Sequence, residues 1–166
     1  MTTANDPARA TADRELFITR ILDAPRSLVW QAWTDPQRLA QWWGPHGMTT
    51  PVCEMDLRPG GIFRTVMRDA NGVEYPNVGV FLEIRERHHL VFTDAFEADW
   101  TPSQHAFMTV KVTFEDFEGK TVCTARAIHW SVADREAHEQ MGFQQGWGEM
   151  LERLGTYVQQ MKENNS

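Results

Sequence analysis

The chain of 166 residues is poor in cysteine and has no long apolar run. Its two cysteines, Cys53 and Cys123, are far apart, and two in a chain of this length do not build a disulfide scaffold, so both are expected as reduced thiols. No stretch approaches the roughly 20 apolar residues that span a bilayer. The amino-terminal segment MTTANDPARATADRE lacks the apolar core of a secretory signal. The sequence therefore predicts a cytoplasmic protein with no membrane span.

Positive charge is also scarce. The chain has 16 lysines and arginines against 23 aspartates and glutamates, which gives a formal net charge of -7. The basic residues are scattered singly, whereas binding to a phosphate backbone requires clustered Lys and Arg. The sequence therefore predicts no nucleic-acid partner.

The motifs of metal and nucleophilic chemistry are missing as well. The six histidines show no HxxxH or HxH spacing, and no CxxC pair accompanies them. No GxSxG nucleophile elbow occurs, and the serines fall at helix caps, in loops or at the terminus. We therefore expect no metal, no cofactor and no nucleophilic catalytic residue.

One arrangement leaves acid–base chemistry open. Glu54 and Asp56 share a face of one predicted strand, and Arg58 and Arg64 flank the turn that follows. If that face points inward, a carboxylate of raised pKa could move protons on a bound carbonyl compound. The simpler interpretation, which we favour, is an ion-pair cluster that holds the hairpin.

The most informative segment is a pair of helix signals after the first strand, ELFITRIL. Apolar residues from Leu28 to Trp33 lie at i, i+1, i+4 and i+5 and form one helical face. Asp35 is a predicted N-cap, and Pro36 suits the first position of a second helix. Gly44-Pro45 ends this helix. Of the adjacent Trp42 and Trp43, one is expected at a cavity rim or an exposed surface, because both cannot easily face inward.

The remaining pattern predicts an α+β fold. Alternating segments separated by short turns, from Val52 to Trp130, indicate an antiparallel sheet of about six to seven strands. Ser131 to Asp134 form a capping box that opens a long final helix with one apolar stripe. We expect a disordered tail over residues 1–12 and a single domain over residues 13–166.

Nearly the whole chain carries the motifs of one known family. The chain resembles the heat-shock-protein-90 ATPase activator-homologue family of the START-like (SRPBCC) superfamily. The residues that carry this resemblance are Ala24-Pro25, Val29-Trp30, Ala32-Trp33, Asp35-Pro36, Trp42-Trp43-Gly44-Pro45, Asp56-Leu57-Arg58-Pro59-Gly60-Gly61, Gly79, Leu90-Val91-Phe92-Thr93 and Gly146-Trp147.

The resemblance implies a helix-grip fold, in which a curved antiparallel sheet grips the long carboxy-terminal helix and a cavity lies between them. In relatives the cavity holds apolar or amphipathic small molecules, and a few relatives carry out cyclisation or hydrolysis there. The chaperone activator that gives the family its name has a second domain, which we do not expect in a chain of 166 residues.

Four glycines in the predicted final helix, Gly142, Gly146, Gly148 and Gly155, suggest where such a cavity lies. Each costs roughly 0.8–1 kcal/mol relative to alanine in a helix. They either leave room for a ligand or allow close approach of the helix to the sheet. The candidate ligand-binding residues are Trp43, Phe63, Phe81, Phe92, Met108, His129, Met141 and Gln145.

Three functions are compatible with these features. The first, which we favour, is non-catalytic binding of a small apolar or amphipathic molecule in the cavity. The second is an acid–base enzyme, a cyclase, dehydratase or hydrolase, that uses the same cavity. The third is a chaperone-linked interaction module that uses an exposed aromatic patch near Trp42, Trp43 or Trp100. An open sheet also leaves an edge strand that a second copy of the chain can cover, so a homodimer is compatible with the sequence.

Overall fold

The computed structural model describes residues 11–165. Of the tail predicted for residues 1–12, residues 1–10 lie outside the described part of the chain. A single 3-10 turn, Ala12–Arg14, leads into the first strand.

Seven strands form one antiparallel sheet, as the alternating sequence pattern predicts. The strands of the chain are β1 (Glu15–Leu22), β2 (Thr49–Met55), β3 (Ile62–Arg68), β4 (Glu74–Arg85), β5 (His89–Thr93), β6 (Phe96–Glu97), β7 (Thr101–Pro102), β8 (Met108–Phe117) and β9 (Lys120–His129). The sheet has the order β1-β9-β8-β5-β4-β3-β2, and β6 and β7 form a separate two-stranded ribbon. Strands β1 and β2 are therefore the edges of the main sheet.

Residues 11–165 also contain four α-helices: α1 (Arg26–Thr34), α2 (Pro36–Leu39), α3 (Val132–Gln140) and α4 (Phe143–Asn164). The predicted caps are present, because Asp35 Oδ1 accepts a hydrogen bond from the Gln37 amide at 2.9 Å and Ser131 Oγ accepts one from the Asp134 amide at 3.0 Å. The single final helix of the prediction is two helices. The chain turns at Gly142, whose φ of +97° lies in the left-handed region that glycine adopts readily.

Helix α4 packs across the sheet through the predicted apolar stripe. Every member of that stripe is buried: Trp147, Leu151, Leu154, Val158 and Met161. The stripe contributes to the core together with β1, α1 and the inner face of the sheet.

The premise that Trp42 and Trp43 cannot both face inward is wrong, and neither forms an exposed surface. Trp42 is 0% exposed and Trp43 is 9% exposed. Both side chains can be buried because α2 ends at Leu39 and the two tryptophans lie in an irregular turn. Their rings meet edge-on, with centroids 5.6 Å apart. The indole N–H of Trp42 donates to the Ala32 carbonyl at 3.1 Å, which satisfies its buried polar atom.

Two motif glycines lie where backbone segments approach too closely for a side chain. A Cβ on Gly61 would collide with the Asp56 carbonyl, and a Cβ on Gly79 would collide with the Thr93 carbonyl. These contacts explain why the turn after β2 and the middle of β4 carry glycine.

Candidate functional site

A cavity of about 750 Å³ lies between the inner face of the sheet and the first half of α4. Strands β3, β4, β5 and β8 provide its floor, and the turn after α2 provides one wall. Its lining is predominantly aromatic and sulfur-containing, with Trp43, Phe63, Met67, Phe92, Phe107, Met108, Phe143, Trp147 and Met150. The volume is in the range of small-molecule sites, which are about 300–1,000 Å³.

Five of the eight candidate residues line this cavity: Trp43, Phe63, Phe92, Met108 and Met141. The three aromatic rings among them form a continuous cluster, in which the Phe63 ring centroid is 5.6 Å from that of Trp43 and 5.0 Å from that of Phe92. Met141 is 75% exposed and lies at the mouth.

Phe81 and His129 lie behind the lining. The Phe81 ring is buried and stacks on Phe63 with centroids 4.9 Å apart, so it supports the floor and does not face the space itself. His129 is also buried and contacts the cavity through a neighbouring histidine.

Gln145 faces a different part of the surface. It lines a groove of about 620 Å³ between β1 and the outer side of α4, and its amide donates to Glu149 at 3.2 Å. Met141 and Gln145 are four residues apart, which in one continuous helix would place them on the same face, but Met141 is the C-cap of α3. The break at Gly142 resets the helical phase and turns Gln145 away from the cavity.

Two of the four glycines leave room at the cavity, and the other two allow close approach of the helix to the sheet. Gly142 and Gly146 line the cavity, and a Cβ on either would meet no atom within 4 Å. Gly148 and Gly155 allow α4 to approach β1, because a Cβ there would lie 3.4 Å from the Arg20 guanidinium and 3.6 Å from Leu22, respectively.

One end of the cavity is polar and is built around two histidines. The buried His129 places Nδ1 2.8 Å from the Arg14 carbonyl and Nε2 2.8 Å from Nδ1 of His138. Because a carbonyl only accepts, His129 Nδ1 carries the proton. In the neutral pair, His129 Nε2 is then the acceptor, and His138 Nδ1 must be the donor. This leaves His138 Nε2 without a proton, and His138 lines the cavity.

Burial keeps His138 neutral. It lowers the pKa of His138 from 6.5 to about 4, and the neighbouring His129 acts in the same direction. The His138 ring also packs edge-on against Phe107 and Phe143, with centroids 5.0 and 5.1 Å away. His138 is therefore a hydrogen-bond acceptor at neutral pH.

The low pKa of His138 makes stability depend on pH. The unfolded chain protonates this ring near 6.5, whereas the folded chain does so only near 4. The stabilising contribution is therefore complete above pH 6.5 and is lost as the pH falls toward 4. We expect the free energy of unfolding to fall by about 2 kcal/mol between pH 7 and roughly pH 4.5, after allowing for partial solvent access. Urea denaturation at pH 7 and roughly pH 4.5 measures this change. The free energy of unfolding of His138→Phe should fall by about 2 kcal/mol less than that of the wild-type protein. An equal fall in the variant and the wild-type protein would contradict the expectation.

Asp94, directly after β5, is the second polar group at this end. Its Oδ1 accepts hydrogen bonds from the amides of Phe107 and Met108 at 2.8 and 3.1 Å, which fixes the start of β8. Burial raises the pKa of Asp94, while these two amide hydrogen bonds oppose the rise. Sequence reasoning missed both Asp94 and His138, because no spacing signal connects residues that meet only through β5, β9 and α3.

The carboxylates suggested for acid–base chemistry lie outside the cavity, and the two cysteine thiols are not ionised. Glu54 pairs with Arg64 at 2.9 Å and Asp56 with Arg58 at 2.7 Å, and none of the four lines the cavity. These pairs match the favoured ion-pair interpretation. Burial is the main cause that raises the pKa of Cys53 to about 11 and the only one that raises the pKa of Cys123, to about 12, so neither thiol is ionised at neutral pH.

Residues 11–165 contain neither a metal-binding cluster nor a membrane-spanning helix. No group of three His, Cys, Asp or Glu side chains is arranged to hold a metal ion. None of the helices described is both long enough and apolar enough to cross a membrane.

Comparison with known proteins identifies one family. The family model described as "Activator of Hsp90 ATPase homolog 1-like protein" matches residues 23–159. No curated protein sequence matches the chain significantly.

Solved structures agree with this match over nearly the whole chain. A protein of Nitrosomonas europaea is 36% identical, with 92% of this chain and 98% of that chain covered and a TM-score of 0.87. A Mycobacterium smegmatis protein is 25% identical, with 91% of each chain covered and a TM-score of 0.72. An AHSA1-like protein from Aeromonas hydrophila is 21% identical, with 89% of this chain and 94% of that chain covered and a TM-score of 0.63, and this likeness concerns the fold alone.

Proposed function

We propose that this chain, which belongs to the activator of Hsp90 ATPase homolog 1-like family, binds a small apolar or amphipathic molecule in the cavity beneath α4. In this proposal the protein binds the molecule and does not transform it. The observation that carries the proposal is the aromatic-lined space of about 750 Å³ between sheet and helix. Protein interiors are close-packed, with few voids larger than a water molecule, so a space of this size is typical of a binding site.

The helix above the cavity supports this proposal. Gly146 lies in the first turns of α4, where alanine would favour the helix by roughly 1 kcal/mol. No atom lies within 4 Å of the position that its Cβ would take, so close packing does not explain the glycine. Keeping the cavity open for a ligand does explain it.

An enzymatic use of the same cavity is the second candidate. Its support is the neutral His138, held in one tautomer by His129 and with an unprotonated Nε2 at the cavity. Such a group can act as a general base. The interaction-module alternative has less support, because Trp42 and Trp43 are buried and the half-exposed Trp100 packs against Phe96 with centroids 5.5 Å apart.

Two expectations from the sequence accompany this proposal. A cytoplasmic location stays a prediction. A homodimer that covers the β1 or β2 edge also stays a prediction, because sheet edges can pair with a second copy of the chain.

Native mass spectrometry of the protein purified from its host, together with calorimetric titration of 2-methoxynaphthalene, tests the proposal. We expect a co-purifying small molecule, or saturable binding of one probe molecule per chain after any such molecule has been extracted. A protein that carries nothing and does not bind the probe would contradict a binding function.

A further inference from the structure

We propose that the cavity selects apolar molecules that carry a hydrogen-bond donor, such as a hydroxyl group or a protonated amine, and rejects carboxylates of the same size. The acceptors are His138 Nε2 and the carboxylate of Asp94. This inference rests on the proposed binding function and adds the chemical class of the ligand.

The charges of the lining favour this selection. Among the described residues that surround the cavity, the charged side chains are Asp94 at the polar end and Asp69, and no lysine or arginine is present. Asp69 accepts a hydrogen bond from the Tyr75 hydroxyl at 3.1 Å. A ligand carboxylate would lose its hydration beside two negative charges and meet no cation, which is costly in a poorly hydrated space.

The nearest basic group at the wall is already occupied. Arg153 donates to the carbonyls of Trp43, Gly44 and Pro45, at 3.3, 2.8 and 3.2 Å. Its guanidinium therefore faces backbone oxygens behind the wall, and it does not line the cavity. The neutral donors of the lining, such as the Asn77 amide, carry no charge to balance an anion.

The polar end presents acceptors because its hydrogen-bond chain has a fixed direction. The Arg14 carbonyl forces a proton onto His129 Nδ1, and this forces His138 to donate through Nδ1 and to present Nε2 as an acceptor. Among the described residues, Nε2 of His138 has no hydrogen-bond partner. Asp94 uses Oδ1 for the amides of Phe107 and Met108, and a carboxylate has lone pairs for further donors. Both groups would gain from a ligand that donates.

The two acceptors belong to one cluster. The Phe107 amide donates to Asp94, and the Phe107 ring lies 5.0 Å from His138 and 5.4 Å from His129. Both acceptors therefore lie next to Phe107 at the same end of the cavity, where a donor group of a ligand can meet them while the apolar body lies against the aromatic lining.

Three naphthalenes with one apolar body test the inference by calorimetric titration at neutral pH. 2-Naphthol is neutral and donates, 2-methoxynaphthalene cannot donate, and 2-naphthoate is an anion. We expect 2-naphthol to bind about tenfold more tightly than the methyl ether, as one net hydrogen bond predicts. We expect 2-naphthoate to bind more weakly than the methyl ether.

Two variants assign the selectivity to its residues. His138→Phe keeps an aromatic ring between Phe107 and Phe143, removes one of the two acceptors, and should lower the ratio of naphthol to methyl-ether affinity. Asp94→Asn keeps an oxygen for the two backbone amides, removes the charge, and should raise the ratio of naphthoate to methyl-ether affinity about tenfold. Because the Asp94→Asn measurement is independent, the inference stays testable if His138→Phe does not fold.

The outcomes separate this inference from the proposed function. Equal binding of the three probes, or tighter binding of 2-naphthoate, would overturn the selectivity and leave apolar binding intact. Failure of all three probes to bind would count against the binding function itself. Unchanged affinity ratios in both variants would show that His138 and Asp94 do not select the ligand.

Discussion

Gly146→Leu is expected to abolish most uptake of an apolar probe, lowering the affinity for 2-methoxynaphthalene by about two orders of magnitude. The leucine side chain would project from α4 into the space beside Trp147, where a Cβ at this position meets no atom within 4 Å. The same change should stabilise the fold by about 1 kcal/mol, because it removes the helical penalty of glycine and adds buried apolar surface. Loss of binding together with a gain in stability is difficult to explain by misfolding.

Two control variants separate filling of the cavity from other effects of the substitution. Gly146→Ala restores helix propensity but adds only one methyl group, so it should stabilise the fold and leave most of the probe affinity. Gln145→Leu adds a leucine to the same turn of α4, on the side that faces the β1 groove, and should not change binding. Calorimetric titration and urea denaturation of the three variants give both quantities. Unchanged binding in Gly146→Leu, or an equal loss in Gln145→Leu, would contradict this placement of the cavity.

The order of the secondary-structure elements could be predicted because the signals are local. The alternation in β8 and β9, the Asp35-Pro36 helix start and the stripe on α4 each depend on residues close in sequence. Their periodicity reports which face is buried, and short turns between strands leave antiparallel pairing as the simple solution. The break at Gly142 was less accessible, because a glycine in a helical pattern is compatible with either a bend or a complete interruption.

The candidate site was predictable only where the strand alternation continues without interruption. Phe63, Phe92 and Met108 follow the alternation of their strands and line the cavity. Phe81 lies on the same face but is covered by Phe63, and alternation cannot distinguish a lining residue from one in the layer behind it. The burial of both Trp rings after α2 could not be predicted, because the irregular turn that buries them is fixed by tertiary contacts.

The polar end of the cavity depends on contacts distant in sequence. Asp94, His129 and His138 come from three elements, and only the fold brings the Arg14 carbonyl to His129 and so fixes the tautomer of both rings. Single-residue properties indicate that each of these side chains can titrate. They do not indicate which one is neutral, which nitrogen carries the proton, or that arginine and lysine are absent from the lining.

Arg153 connects α4 to the Trp-Trp-Gly-Pro segment that walls the cavity. Its Nη1 donates to the carbonyls of residues 43–45, and its Nη2 donates to the Gln41 carbonyl at 3.3 Å. These carbonyls belong to the turn after α2, where no regular helix or strand satisfies them. One guanidinium therefore holds the turn in position against the helix, and through it the Trp43 ring that faces the cavity.

Arg153→Met is expected to lower the free energy of unfolding by about 3 kcal/mol, because it removes charge-assisted hydrogen bonds and takes away the donor of the Gln41 and Gly44 carbonyls. The Trp43 and Pro45 carbonyls keep the Thr50 hydroxyl and the Met48 amide as donors. Arg153→Lys should recover about half of the loss, since an ammonium group donates but lacks the planar fork that reaches several carbonyls together. Urea denaturation monitored by near-ultraviolet circular dichroism measures the stability and the order of the Trp42 and Trp43 rings. In Arg153→Met the turn after α2 loses these contacts, so binding of 2-methoxynaphthalene should also weaken at temperatures below the unfolding transition. Wild-type stability in Arg153→Met, or a lysine variant no better than the methionine variant, would show that the guanidinium contacts do not hold this wall.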